Sequence, residues 1–311
     1  MRVTTGSRLH AGFYHIGYAE GWNIVAGGAG FYINYPRAVV EAKKCNNVET
    51  EGFEDLKEVV ERLLFSTKLK ACLKLLEGIP RHVGLGSTTQ TVLAALLAAL
   101  LANGIKVAID DLIELSRRAH EYSSIGSLLF KYGGFVVESG VPAKLKPYEP
   151  LVRLKVPEDW RFVIALPSVR RGLDEISEKQ VMEYVLTKST NREARLLMSA
   201  GCLRLASGIA RGDLEDALTG LAMMQRGTGM VFSSVQGGVF REDLESVVEV
   251  SEKLGVRLAQ SSWGPALYTI TTVTASSSVR DKVKRTLEEV GLKGEVFIVD
   301  PRNEGASFKY V

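Results

Sequence analysis

Arg81-His82-Val83-Gly84-Leu85-Gly86-Ser87-Thr88-Thr89-Gln90 runs without a break into Thr91-Val92-Leu93-Ala94-Ala95-Leu96-Leu97-Ala98-Ala99-Leu100-Leu101-Ala102. The passage reads as a glycine loop feeding a helix. Gly84 and Gly86 permit a tight turn and close backbone approach, Ser87 or Thr88 can cap the helix, and the Ala/Leu run is a strong helix former. Bare N–H groups and the positive end of the helix dipole then converge on one point, which suits a phosphate or pyrophosphate. A small-residue turn before a buried helix is as common in plain packing, so the local pattern leaves both readings open. The string lacks the Gly-x4-Gly-Lys-Ser/Thr of a Walker loop. It is also unlike a dinucleotide fingerprint, because Leu73 to Pro80 is charged and ends in Gly78-Ile79-Pro80 instead of a buried parallel strand. A third kind of phosphate loop, over residues 82–90, is needed.

The chain has 311 residues, 46% of them apolar, which supplies a core for two domains of ordinary size. Its 39 basic and 36 acidic residues are spread along the sequence and leave a net charge of +3. That balance points to no dedicated nucleic-acid surface and leaves an anionic small molecule as the natural partner. Cys45, Cys72 and Cys202 are odd in number and widely separated, and read as reduced cytosolic thiols. His10, His15, His82 and His120 show no zinc-ligand spacing. The polar opening Met1-Arg2-Val3-Thr4-Thr5-Gly6 does not resemble a signal peptide, and the longest apolar run falls short of a membrane span. A cytoplasmic protein with no membrane partner is expected, with a homodimer as the default assembly. Lys/Glu-rich helices and few Asn or Gln residues fit a thermophile.

Residues 1–44 alternate apolar runs with glycine clusters and read as successive strands. Residues 53–76 carry Leu56, Val59, Val60, Leu63 and Leu64 at helical spacing, with a break near Ser66-Thr67. Further helices are expected over Ser87–Leu101 and Ala108–Arg118, and a strand within Gly133–Gly140. The turn-rich stretch Val141 to Pro150 marks a boundary, giving domains of 1–155 and 156–311. The second half opens with a strand over Arg161–Pro167. Helical patterns follow over 175–210, 213–224 and 242–254, then a β-branched run from Leu267, a helix over Ser278–Val290 and a last strand from Glu295. This order predicts an α+β fold with helices on one face of the sheets.

Four islands join the loop as candidates for chemistry. Arg8 and His10 lie two apart on a strand, so both can face one pocket, although an exposed Arg beside a packed His is the simpler reading. Gly27-Gly28-Ala29-Gly30 offers backbone access or a tight turn. Arg170 and Arg171, just past a strand end, suit carboxylate or phosphate recognition, as surface arginines also would. Gln260-Ser261-Ser262-Trp263-Gly264-Pro265 is a small polar turn holding an aromatic.

Taken together these residues resemble the GHMP superfamily of galacto-, homoserine, mevalonate and phosphomevalonate kinases. More closely, Arg8-Leu9-His10, His82 to Gln90, Ser124-Ile125-Gly126 with Gly133-Gly134-Phe135, Pro167 to Gly172, and Gln260 to Pro265 are similar to the archaeal β-ribofuranosylaminobenzene 5′-phosphate synthases. The resemblance covers most of the chain. It implies an N-terminal domain like domain 2 of ribosomal protein S5 and a ferredoxin-like C-terminal domain. It also implies coupling of 5-phosphoribosyl 1-pyrophosphate to a hydroxy- or aminobenzoate, with release of pyrophosphate and carbon dioxide, in pterin cofactor biosynthesis. Gly84, Leu85, Gly86, Ser87 and Thr88 would then stabilise the departing pyrophosphate, with Mg²⁺ and Ser87 as its candidate ligand. Gly27, Gly28, Arg170, Arg171, Gln260, Ser261 and Ser262 become substrate-binding candidates, and Arg8, His10 and Ser124 catalytic ones.

The kinases of the superfamily imply a second reading, ATP-dependent phosphorylation of a small molecule. Many of them place a catalytic Asp after Ser-Gly-Ile, where this chain has Gly126. The synthase pattern in turn has charged groups where this chain has Ile24 and Ala26, an acid at His15, and a different context at Tyr122-Ser123. A non-catalytic ligand-binding paralogue is therefore the third reading.

Overall fold

The computed structural model describes residues 1–17, 25–116, 123–140, 149–173, 175–188 and 191–311. The first half contains β1 (Arg2–Thr4), β2 (Ser7–Ile16), β3 (Ala26–Ile33), β4 (Val39–Lys44), β5 (Glu49–Glu51), α1 (Lys57–Ser66), β6 (Ala71–Glu77), α2 (Ser87–Ala102), α3 (Ile109–Ser116), α4 (Ile125–Tyr132), β7 (Phe135–Glu138) and β8 (Pro150–Leu154). The second contains β9 (Trp160–Pro167), α5 (Glu175–Leu186), α6 (Arg192–Arg211), α7 (Leu214–Gln236), α8 (Glu245–Lys253), β10 (Ala259–Gln260), β11 (Leu267–Thr272), α9 (Ser276–Glu289), β12 (Gly294–Val299) and β13 (Ser307–Lys309).

Three sheets organise these elements, in the orders β13-β1-β4-β6-β5, β2-β3-β7-β8 and β10-β11-β9-β12. α2 is apolar on every side, from Val92 through Leu100, and such a helix must be buried all round. It packs on β4 and is flanked by α1, α3 and α4, in a core shared with Val40, Val60, Leu64, Leu73 and Phe130. The third sheet has the second-third-first-fourth strand arrangement of a ferredoxin-like domain, with α5, α6 and α7 inserted between β9 and the first crossover helix α8. A larger core spans both halves, with Phe31 and Phe135 meeting Trp160, Phe162, Leu205, Met224 and Tyr268.

Several expected boundaries move, each for a local reason. α1 stops at Ser66, the Thr67 hydroxyl donates back to the Leu63 carbonyl at 2.8 Å, and Lys68 turns with φ +56°, so the residues after it form β6. α7 runs past Met224 to Gln236 through Gly227 and Gly229. Those glycines are contact surface: a Cβ on Gly227 would lie 2.7 Å from the Ala194 carbonyl oxygen, and one on Gly220 2.3 Å from the Leu205 nitrogen, so α6 and α7 approach closely. The chain end crosses back, and β13 pairs with β1 on the first sheet.

The cysteines correct the reduced-thiol expectation. Cys45, one residue past β4, and Cys72 on the neighbouring β6 form a disulfide with Cα atoms 5.7 Å apart. Their separation of 27 residues hides the adjacency that the strand pairing creates. Cys202 is a buried free thiol, its pKa pushed up to about 12 by burial. No helix among the described residues is long and apolar enough to cross a membrane.

Candidate functional site

The loop before α2 is held from three sides. Gly84 has φ +91°, and a Cβ there would fall 2.0 Å from the Ser261 carbonyl oxygen. Gly86 has φ +71° and is the helix N-cap, so the cap is this glycine and not Ser87 or Thr88. No side chain caps the helix, and no acid lies in its first turn. The positive end of α2 is thus met by no acidic side chain from within its own first turn. Ser87 is buried in the first turn, and the Thr88 hydroxyl accepts from Arg81 at 3.1 Å. Leu85 faces the core, while its carbonyl accepts the Arg8 N–H at 3.0 Å. His82 has φ +58°; its ring lies 3.3 Å from Arg81 and 3.3 Å from the Leu173 carbonyl, and its own carbonyl accepts the Gly172 N–H at 2.7 Å.

Strand period places Arg8 and His10 on one side of β2, as the sequence predicts, and both line the same cavity. The Arg8 guanidinium reaches toward the Gly84 carbonyl at 3.5 Å, and a Cβ on Gly86 would be 3.1 Å from the Arg8 Cβ. Burial lowers its pKa, while Glu178 and Glu138 at longer range support its charge. An arginine keeps its proton in proteins, and among the described residues no carboxylate forms an ion pair with this one. Arg8 is half-buried, and the Glu178 carboxylate lines the same cavity and is the foremost charge supporting it. Burial and the neighbouring Arg8 lower the His10 imidazole to about 3, so it is neutral. The His10 backbone is fixed by the Ser261 hydroxyl, which accepts its N–H at 2.9 Å and donates to the Gly84 carbonyl at 2.6 Å.

The early glycines make room for neighbouring side chains. A Cβ on Gly27 would lie 2.3 Å from the Tyr14 ring, and one on Gly28 would meet the Ile125 side chain at 2.9 Å and the His10 ring at 3.1 Å. The space in front of them is filled by the protein. The Gly28 N–H is donated to Glu138 at 2.9 Å. Glu138, fully buried at the end of β7, also accepts the Ser124 backbone N–H and, at 2.8 Å, its hydroxyl. Burial raises the Glu138 pKa to about 7 against the pull of these bonds. The Ser124 hydroxyl, a catalytic candidate, is therefore committed to fixing the start of α4. Gly126 faces the first turn of α2, where a Cβ would be 3.2 Å from Thr89. Glu138 escaped the sequence reading, although a lone acid in Phe135-Val136-Val137-Glu138 was its signal.

The polar turn is a staple. The Gln260 amide accepts the Arg241 N–H at 2.9 Å and donates to the Ser262 carbonyl at 2.9 Å, and its backbone N–H donates to Gln225 at 3.0 Å. Buried Arg241, also unforeseen, pairs with Asp243 and donates to the Trp263 and Arg170 carbonyls at 3.1 and 2.7 Å. Arg170 and Arg171 themselves are exposed and line an outer groove that adjoins the Arg8 cavity across Trp263 and Gln236. Ser262, with φ +56°, lines the cavity of Arg8 and His10. Ala26 is buried on β3, and the His15 ring lies 2.9 Å from the Gly17 carbonyl. Ile24 and Tyr122 lie outside the described residues.

Among the described residues no group of three His, Cys, Asp or Glu side chains is placed to hold a metal. Mg²⁺ commonly rides on substrate phosphates with few protein ligands, and the Ser87 hydroxyl is the oxygen the loop offers.

A glycine loop at an open helix end, seated between this pair of domains, defines a class. The GHMP kinases N terminal domain model matches residues 54–130 and the GHMP kinases C terminal model residues 205–291. The chain belongs to the GHMP kinase superfamily. It is 24% identical over 331 residues to a β-ribofuranosylphenol 5′-phosphate synthase of Methanothermobacter thermautotrophicus, covering 98% of this chain and 97% of that one. It is 22% identical to the protein of the same name from Methanocaldococcus jannaschii, covering 98% and 99%. In structure it is similar to homoserine kinase from Cytophaga hutchinsonii, with a TM-score of 0.68, 16% identity, and coverage of 99% of this chain and 96% of that one.

Proposed function

We propose that this chain is a transferase of the β-ribofuranosylaminobenzene or β-ribofuranosylphenol 5′-phosphate synthase kind. It joins 5-phosphoribosyl 1-pyrophosphate to a hydroxy- or aminobenzoate and releases pyrophosphate and carbon dioxide. The observation that carries the reading is Arg8, a half-buried cation at the junction of the glycine loop and an aromatic-lined cavity. The relatives' names, β-ribofuranosylphenol 5′-phosphate synthase, describe a ribosylated ring with a 5′-phosphate and support the reading at that level.

The anomeric C–O bond breaks and its electron pair leaves with pyrophosphate, against Arg8 and the N–H groups at the start of α2. Donors fixed before the reaction stabilise that developing charge without reorganising. The ring carbon bearing the carboxylate forms the new C–C bond. The C–CO₂ bond then breaks, and its electron pair restores the aromatic ring. No proton leaves the ring, so the step needs no general base. This accords with the neutral His10, the buried Glu138 and the glycine at position 126. Magnesium bound to the phosphates would add charge neutralisation.

The test incubates the protein and Mg²⁺ with 5-phosphoribosyl 1-pyrophosphate and 4-hydroxybenzoate or 4-aminobenzoate. Pyrophosphate and carbon dioxide are expected together, and both are lost in Arg8→Gln. ADP formation from ATP with a hydroxylated metabolite, without pyrophosphate, would establish the kinase reading instead. Ligand-induced stabilisation without turnover would establish the binding paralogue.

A further inference from the structure

The cavity beside Arg8 is walled by rings from distant parts of the chain. Phe13 comes from β2, Phe232 from α7, and Trp263 from the turn after β10. They pack edge to face: His10 to Phe13 with centroids 4.9 Å apart at 65°, and Phe232 to Trp263 at 4.8 Å and 83°; Phe13 and Phe232 are tilted at 5.8 Å. Such walls suit a further aromatic ring. The volume is about 70 Å³, the room of roughly five waters on the scale where one needs about 10–15 Å³.

The lining also holds Ser123, Ser262 and the Glu178 carboxylate, so an anionic ring must present its carboxyl on the Arg8 side; the amides and the Thr228 hydroxyl play different parts. Gln225 donates to the Ala11 and Gln260 carbonyls at 2.9 and 3.1 Å, and Gln236 to the Gly238 and Val239 carbonyls at 3.1 and 2.8 Å. The Gln260 amide is occupied as described, so these three amides serve as walls. Thr228 differs. Its hydroxyl accepts the Phe13 N–H at 3.0 Å, which leaves its own hydrogen to donate. Arg8 supplies the cation on the side of the phosphate loop.

We infer that the slot formed by Phe13, Phe232 and Trp263 binds the acceptor of the proposed reaction, a monocyclic aromatic carboxylate, with its carboxyl-bearing carbon toward Arg8 and the Thr228 hydroxyl as a specificity determinant. This rests on the proposed transferase reading for the identity of the ring. The orientation is the one that chemistry requires, because the carbon that forms the new bond must face the sugar held at the loop.

The experiment titrates 4-hydroxybenzoate into wild-type protein, Phe232→Leu and Thr228→Val by calorimetry, and measures acceptor KM and kcat in parallel. Phe232→Leu keeps an apolar side chain and Thr228→Val keeps the shape but also removes the acceptor of the Phe13 N–H, so thermal melts verify folding and Thr228→Ser, which keeps the hydroxyl, is expected to retain binding. Binding and acceptor KM are expected to weaken about fivefold in Phe232→Leu, which removes one ring contact. Thr228→Val is expected to weaken them about fivefold or more through the missing hydrogen bond. Affinity for 5-phosphoribosyl 1-pyrophosphate stays unchanged in both. Turnover with an unchanged acceptor KM in both folded variants would overturn the slot and leave the transferase reading standing. Binding of 4-hydroxybenzoate that Phe232→Leu weakens, with no pyrophosphate formed by any variant, would uphold the slot and overturn the reaction. Absence of binding by wild-type protein together with absence of turnover would overturn both.

Discussion

Arg8 and the pair Arg170-Arg171 carry the same chemical group in opposite settings. Arg8 sits behind the glycine loop, half-buried, with the Glu178 carboxylate lining the same cavity. Arg170 and Arg171 are exposed on a loop that Arg241 pins through the Arg170 carbonyl. Water screens an exposed guanidinium and makes any single contact worth little. A half-buried one such as Arg8 is screened less and keeps more of its field. In the sequence the arginine pair suits anion recognition because it follows a strand end, as surface arginines also would; in the structure it is Arg8 whose guanidinium reaches the glycine loop.

The largest effect is therefore expected at Arg8. Arg8→Gln should lower kcat/KM for pyrophosphate release by about 10²–10³, the scale of losing a fixed donor to developing negative charge, while the thermal midpoint stays close to wild type. Arg8→Lys should recover part of the rate. A loss confined to KM would reduce Arg8 to ground-state binding and weaken the contrast.

Next comes the charge partner. Glu138 is raised to about 7, so it favours the fold when protonated, and that stability is lost as pH rises from the unfolded value of 4.5 through about 7. His10 is depressed to about 3, so its contribution is full above 6.5 and is lost as pH falls toward 3. The two slopes oppose each other between 4.5 and 6.5. Thermal melts should show a plateau there, with a fall above it that Glu138→Gln removes and a fall below it that His10→Gln removes. Arg8→Gln should deepen the alkaline fall by withdrawing a charge that favours ionised Glu138, whereas Arg171→Ala should leave the profile alone. Identical profiles in the two arginine variants would end the distinction between the sites.

The smallest effect belongs to the rim. Arg170→Ala and Arg171→Ala should each change kcat/KM by no more than a few-fold, through KM for the phosphorylated substrate, and that difference should shrink as salt is raised. A hundredfold loss in either would place the substrate's 5′-phosphate in the outer groove.

Local chemistry was legible where a single residue type dictates the backbone. Gly84 and Gly86 marked the turn and do adopt positive φ, and the spacing of Arg8 and His10 put both on one cavity. Gly27 and Gly28 carried the same letters for the opposite purpose, since their missing side chains make room for Tyr14, His10 and Ile125. Nothing in a string of glycines distinguishes room for a ligand from room for a neighbour. Groups created by tertiary contact were least legible. The ring slot joins Phe13 to Phe232, the disulfide joins Cys45 to Cys72, and Arg241 staples two loops remote from it in sequence. The reach of α7 was hidden because Gly227 and Gly229, which weaken a helix in isolation, are required by its close packing.

The most direct test follows pyrophosphate and carbon dioxide from 5-phosphoribosyl 1-pyrophosphate and 4-hydroxybenzoate, in wild type beside Arg8→Gln and Arg171→Ala. Release of both products in equal amounts is expected, nearly abolished in Arg8→Gln and almost intact in Arg171→Ala. No pyrophosphate from wild-type protein, with ADP appearing when ATP and a hydroxylated acceptor are supplied, would contradict the account.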